Sequence, residues 1–124
     1  MVDIKAFWQA VIRQDAQVMR TFLAPDAWVE WPCTNEHFTV EEYIRANCEY
    51  PGEWDGEIER IEVLPNLIIT AVRVFPQDHS ASFHVVSFAR IKDGRVTSLV
   101  EYWGDDGPAP EWRQAMKIGR PIRE

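Results

Sequence analysis

Apolar residues run along this chain in two rhythms. In the first half they recur every three or four positions. Ile4, Phe7, Trp8, Val11 and Ile12 predict a helix that buries one stripe. Asp15 is placed to cap a second, shorter helix, with Val18, Met19, Phe22 and Leu23 on its apolar face and Pro25 ending it. Residues 27–32 then read as a short strand, and Pro32 favours an edge or a strand end. A third helix begins at Thr39. Thr39 and Glu42 form a capping box, and Phe38 with Tyr43 fits a hydrophobic staple. Val40, Tyr43, Ile44, Asn47 and Cys48 share one face of that helix, and Tyr50-Pro51-Gly52 stops it.

In the second half the rhythm becomes that of strands. Residues 57–64, 67–75, 82–92 and 95–103 read as four strands, the first two joined at Pro65-Asn66. Asp93-Gly94 is a strong signal for a tight hairpin between the last two. The tail from Gly104 is rich in Gly and Pro, with one or two helical turns expected over residues 111–117. Helices segregated from an antiparallel sheet make an α+β domain. Residues 83–91 carry apolar side chains on both parities: Phe83, Val85, Ala89 and Ile91 on one, Val86 and Phe88 on the other. A strand with one wet face alternates cleanly. The second face is therefore expected to be covered, by the tail or by another subunit in a homodimer.

Composition narrows the partners. The 124 residues suit one domain with one core, and 46% hydrophobic with 27% charged content is globular rather than disordered. A net charge of −7 repels phosphate backbones and anionic lipid, so neither nucleic acid nor a membrane is an expected partner. The first residues lack the basic segment and apolar run of a signal peptide, and no apolar stretch is long enough to span a bilayer. A cytoplasmic location is expected, with Cys33 and Cys48 as reduced thiols. Six tryptophans are many for this length; Trp8, Trp28, Trp31, Trp54 and Trp103 are candidates both for core and for the walls of a ligand pocket.

Two motifs carry a family resemblance. Phe22-Leu23-Ala24-Pro25-Asp26-Ala27-Trp28-Val29-Glu30 resembles the helix-to-strand step of nuclear transport factor 2-like proteins. Asp93-Gly94-Arg95-Val96 followed by Val100-Glu101-Tyr102-Trp103 resembles the final hairpin of their SnoaL-like branch. With the order of elements, the resemblance covers roughly residues 4–106 of one SnoaL-like domain, 1–124, with 104–124 as a C-terminal tail. It implies a cone-shaped nuclear transport factor 2-like (cystatin-like) fold: three N-terminal helices packed on a strongly bent antiparallel sheet over a deep pocket. The family includes ketosteroid isomerases, polyketide cyclases and dehydratases. Where the isomerases carry their base, their oxyanion-hole tyrosine and their second aspartate, this chain has Trp31, Phe7 and Ser87, so steroid isomerisation is not expected. Where SnoaL-like cyclases place a catalytic aspartate, this chain has Glu101, and the resemblance points Leu99, Glu101 and Trp103 into the pocket.

Glu101 is thus the sharpest candidate for proton transfer, since desolvation among aromatics raises a carboxyl toward the useful range. The alternative is a structural glutamate paired with a basic side chain such as Arg73. His37 is the second candidate acid or base, against a solvated loop histidine. Asn47 is a candidate for a ligand carbonyl or hydroxyl, against a hydrogen bond to nearby backbone. The expected ligand-binding set is Trp31, Asn47, Leu99, Trp103, Phe7 and Ser87. Cys33 with His37 has only loose metal-ligand spacing, and neither a metal nor a cofactor is expected. Two function classes follow. One is acid–base chemistry of isomerase, cyclase or dehydratase type on a small, apolar, oxygenated molecule. The other is a non-catalytic ligand-binding or dimeric assembly domain.

Overall fold

The computed structural model describes residues 2–123. Helices α1 (Ile4–Ile12) and α2 (Ala16–Phe22) lead into strand β1 (Leu23–Trp31), a single 3-10 turn (Pro32–Thr34), strand β2 (Glu36–Thr39) and helix α3 (Val40–Cys48). Strands β3 (Trp54–Leu64), β4 (Leu67–Pro76), β5 (Phe83–Lys92) and β6 (Arg95–Asp105) follow, then a short helix α4 (Glu111–Ala115). Among the described residues no helix is long and apolar enough to cross a membrane.

Local chemistry sets these boundaries. Asp3 and Asp15 cap α1 and α2, accepting from the backbone N–H groups of Ala6 at 3.1 Å and Val18 at 3.2 Å. At α3 both halves of the capping box form: Glu42 N–H donates to Thr39 Oγ1 at 3.2 Å, and Thr39 N–H donates to Glu42 Oε1 at 2.9 Å. The expected staple residues, Phe38 and Tyr43, are both buried. Asp93 and Gly94 have φ of 53° and 75°, the two left-handed residues that a two-residue hairpin requires.

The six strands form one sheet in the order β2-β1-β6-β5-β4-β3. Three features differ from the sequence expectation. Strand β2 is new; it lies antiparallel to β1, with Trp28 opposite Thr39 and Trp31 opposite Glu36. Strand β1 starts at Leu23 rather than beyond Pro25, because Leu23 already pairs with Val96. Finally, β1 runs parallel to β6, while every other neighbouring pair is antiparallel. Pro25 lies inside the register shift between Leu23 and Trp28, where its missing N–H breaks no ladder bond. Further shifts at Ile58/Arg60 and Arg90/Ile91 are the places where bulges bend a sheet.

The core lies between the helices and the inner sheet face. Ile4, Phe7, Trp8 and Val11 of α1, with Met19, Tyr43 and Ile44, pack over Val29, Val72, Val85 and Leu99. Gly56 marks how closely α1 approaches β3: a Cβ there would sit 2.8 Å from Ile12 Cδ1 and 2.9 Å from the Arg73 carbonyl oxygen. On the outer face Val86 and Tyr102 are exposed, and the Phe88 ring meets Tyr102 edge-on at 6.0 Å. The tail leaves Val86 and Tyr102 of this face exposed. Its large apolar side chains are themselves exposed, from Met116 at 56% to Ile122 at 94%.

Candidate functional site

A cavity of about 280 Å³ opens between α1, α3 and the inner sheet face. That is close to the lower limit of ordinary small-molecule sites, roughly 300 Å³. Its walls are aromatic. Tyr50 and Trp54 meet edge-on at 5.2 Å and Trp54 continues to Phe83 at 5.9 Å, while Trp31 and Trp103 meet edge-on at 6.0 Å. Trp8, Val11, Ile12 and Val74 add apolar surface. At the exposed rim stand Cys33, Thr34, Glu36 and Asp105.

The indole N–H groups mostly turn into the protein. Trp8 Nε1 donates to Thr70 Oγ1 at 3.1 Å, and Trp54 Nε1 donates to the Pro51 carbonyl at 3.1 Å. Trp31 Nε1 donates to Glu101 Oε1 at 3.1 Å. The amides on the helical side are committed in the same way. Gln14 Nε2 donates to the carbonyls of Asn47 and Tyr50, both at 2.7 Å, and Asn47 Nδ2 donates to the Tyr43 carbonyl at 2.9 Å. This ties the end of α1 to the end of α3 and positions the Tyr50 ring.

Glu101 lies behind this wall. It is fully buried, and it is not among the residues lining the cavity. Ser87 Oγ donates to its second oxygen at 2.6 Å. Burial pushes its carboxyl above the ordinary range, while the bonds from Ser87 and Trp31 pull the other way and offset part of that. The buried Tyr43 hydroxyl has no hydrogen-bond partner, and its proton is held tightly by burial and by the nearby Glu101 charge. The alternative reading, a Glu101 ion pair with Arg73, does not form: Arg73 Nε donates to Glu57 Oε1 at 3.0 Å on the outer face.

Of the other residues singled out in the sequence, Trp31, Asn47 and Trp103 line the cavity. Phe7, Leu99 and Ser87 do not; the first two are core, and Ser87 serves Glu101. His37 sits on β2, exposed, stacked on Trp28 at 5.7 Å and bonded to Glu30 at 2.9 Å. It lies outside the cavity wall. Cys48 packs against Met19, and burial pushes its thiol up, which is the wrong direction for a nucleophile. His84, on the outer face, lies between Glu59 and Asp106. Among the described residues no group of three His, Cys, Asp or Glu side chains is placed to hold a metal ion. Sequence reasoning missed Phe83, Tyr50, Gln14, Glu36 and Asp105 as cavity residues. The signal for Asp105 was present, since it continues the inward alternation of Leu99, Glu101 and Trp103.

The model of the SnoaL-like domain family matches residues 4–99. No curated protein matches the chain. Among solved structures, a Kribbella flavida protein provisionally described as a ketosteroid isomerase is 22% identical, with a TM-score of 0.80 over 98% of this chain and 88% of that one. A Burkholderia xenovorans NTF-2 like protein of unknown function is 23% identical, with a TM-score of 0.76 over 95% and 91%. An epoxide hydrolase of M. tuberculosis is 18% identical, with a TM-score of 0.66 over 82% and 79%. At these identities the likeness is one of fold.

Proposed function

The chain belongs to the SnoaL-like domain family, and on that premise we propose that it binds a small, largely apolar organic molecule in the cavity between α1, α3 and the sheet. One observation carries this reading: aromatic rings from α1, β1, β3, β5 and β6 and from the Tyr50 loop converge on one opening of about 280 Å³. Titration with small aromatic compounds, read by tryptophan fluorescence and melting temperature, tests it. Apolar compounds should quench and stabilise, and nucleotides and sugar phosphates should not. A series in which only the phosphorylated compounds stabilise would sink the reading.

A second reading, acid–base chemistry, is favoured by the raised carboxyl of Glu101 beside an unpartnered Tyr43 hydroxyl. With Trp31 and Trp103 in place the acid does not reach the cavity, so this chemistry requires the Trp31 indole to release Glu101. Glu101→Gln then cuts turnover by roughly 10² to 10⁴ with ligand affinity kept. Unchanged turnover on any substrate found rejects it.

The chain also forms a homodimer through the outer sheet face in this proposal. Support comes from the exposed Val86 and Tyr102 beside Phe88, which the tail leaves uncovered. A stable pair buries more than about 1,000 Å². Light scattering should give twice the chain mass, and Val86→Glu should halve it; a monomer at micromolar concentration rejects the dimer.

A further inference from the structure

We propose that the cavity is selective for a protonated organic amine, with the apolar body among the tryptophans and the ammonium at the Glu36–Asp105 rim. This rests on the cavity being a ligand site and narrows it to one ligand chemistry. The first ground is charge. Glu36 and Asp105 are the acidic residues of the lining, and among the described residues no Lys, Arg or His lines the cavity. Neither carboxylate has an ion-pair partner among the described residues. Their neighbours in sequence show the contrast: Asp106 is bonded to His84 and Ser82, whereas Asp105 has no such bond.

The second ground is the imbalance of donors and acceptors. A carboxylate, phosphate or carbonyl ligand needs N–H or O–H groups pointing at it. Trp8, Trp31, Trp54 and Gln14 have already committed their side-chain N–H groups to protein acceptors, and Asn47 has committed one of its two. Trp103 Nε1 has no partner among the described residues, and the atom is buried. Thr34 Oγ1 donates to Glu36 Oε1 at 2.7 Å. What remains open is mostly acceptors: two carboxylates at the rim and the amide oxygens of Gln14 and Asn47, which accept no hydrogen bond among the described residues, against the second Asn47 N–H and the Tyr50 hydroxyl as donors. An ammonium supplies three donors and one positive charge.

The third ground is the aromatic wall. With the N–H groups of Trp8, Trp31 and Trp54 engaged elsewhere, these indoles line the cavity as aromatic surface, and an indole's negative π-face attracts a cation. A neutral molecule of the same shape gains the apolar contact but not this attraction. An anion meets two like charges.

Three probes with one skeleton separate these terms: 3-phenylpropylamine, 3-phenylpropan-1-ol and 3-phenylpropanoate, titrated calorimetrically at neutral pH. The amine should bind about tenfold more tightly than the alcohol, and the anion more weakly than either. High salt should narrow the gap between amine and alcohol, because the rim charges are screened. Asp105→Asn combined with Glu36→Gln should narrow it as well; both residues are exposed, so the fold is not at risk. Equal binding of alcohol and amine overturns the ligand class while the cavity remains a binding site. Failure of all three probes to bind at millimolar concentration overturns the cavity reading along with it.

Discussion

Two carboxylates on the same face of the same strand lead opposite lives in this protein. Glu101 and Asp105 both point inward from β6, separated by Trp103. Asp105 stands in water at the rim with no ion-pair partner among the described residues. Glu101 is fully buried, takes hydrogen bonds from Trp31 and Ser87, and has its carboxyl pushed upward. The alternation of a strand therefore decides which face a carboxylate sees, but the side chains that cover it decide its chemistry. Trp31 and Trp103 are that cover. They divide the inner face into an open apolar cavity and a buried polar group, Glu101 with Ser87, behind it.

Substitutions at the two positions can break this contrast. The largest effect is expected for Glu101→Ala. It leaves the Trp31 N–H and the Ser87 hydroxyl without their acceptor and opens a void, together costing about 3–5 kcal/mol in urea unfolding. A cost below about 1 kcal/mol would mean that Glu101 is not sealed. Trp31→Phe comes next. It removes one donor to Glu101 but keeps an aromatic wall, so about 1–2 kcal/mol is expected. The lost donor also moves the carboxyl further up.

Glu101→Gln sharpens the comparison through pH. A carboxyl raised above its ordinary value of 4.5 holds its proton longer in the folded chain than in the unfolded one. The stability linked to that proton is fully present below the unfolded value. It is lost as pH rises toward and through the raised folded value. Melting temperatures of wild type relative to Glu101→Gln should therefore fall as pH climbs from 4 toward neutrality, with the variant's own curve flatter. A wild-type curve that rises against the variant over that range would reverse the sign and refute the shift. The smallest effect is expected for Asp105→Ala, within about 0.5 kcal/mol of wild type, as for most exposed positions.

Much of the frame was legible in the chain. The caps of α2 and α3 and the Asp93-Gly94 hairpin depend on residues within a few positions of one another, and such signals survive without tertiary context. Strand β2 was not legible, because Glu36-His37-Phe38-Thr39 is too short for its own periodicity and exists by pairing with β1. The parallel neighbour of β1 was equally hidden, since it joins residues from opposite ends of the sequence. At the site, four of the five candidate tryptophans line the cavity, and Trp28 instead stacks on His37. Arg73 was a poor partner for Glu101 on parity alone. Thr70 and Val72 face the core from β4, so Arg73 must face out. Asp105 was passed over because Gly104 reads as the start of a tail, although the strand continues through it.

The parallel pairing also has a consequence in time. Leu23 finds its partner in Val96, and Val29 finds Leu99, so β1 and β2 have no sheet to join until β6 exists. On a ribosome the first half of the chain emerges with Trp28, Val29 and Trp31 on a strand that has β2 beside it but whose other neighbour, β6, has not yet been made. Such long-range closure is slow, and it leaves an apolar edge exposed meanwhile. The Tyr50–Trp54–Phe83 wall can form earlier, from segments closer in sequence. The Trp31–Trp103 wall can only close last, so the cavity is completed by the same event that completes the sheet.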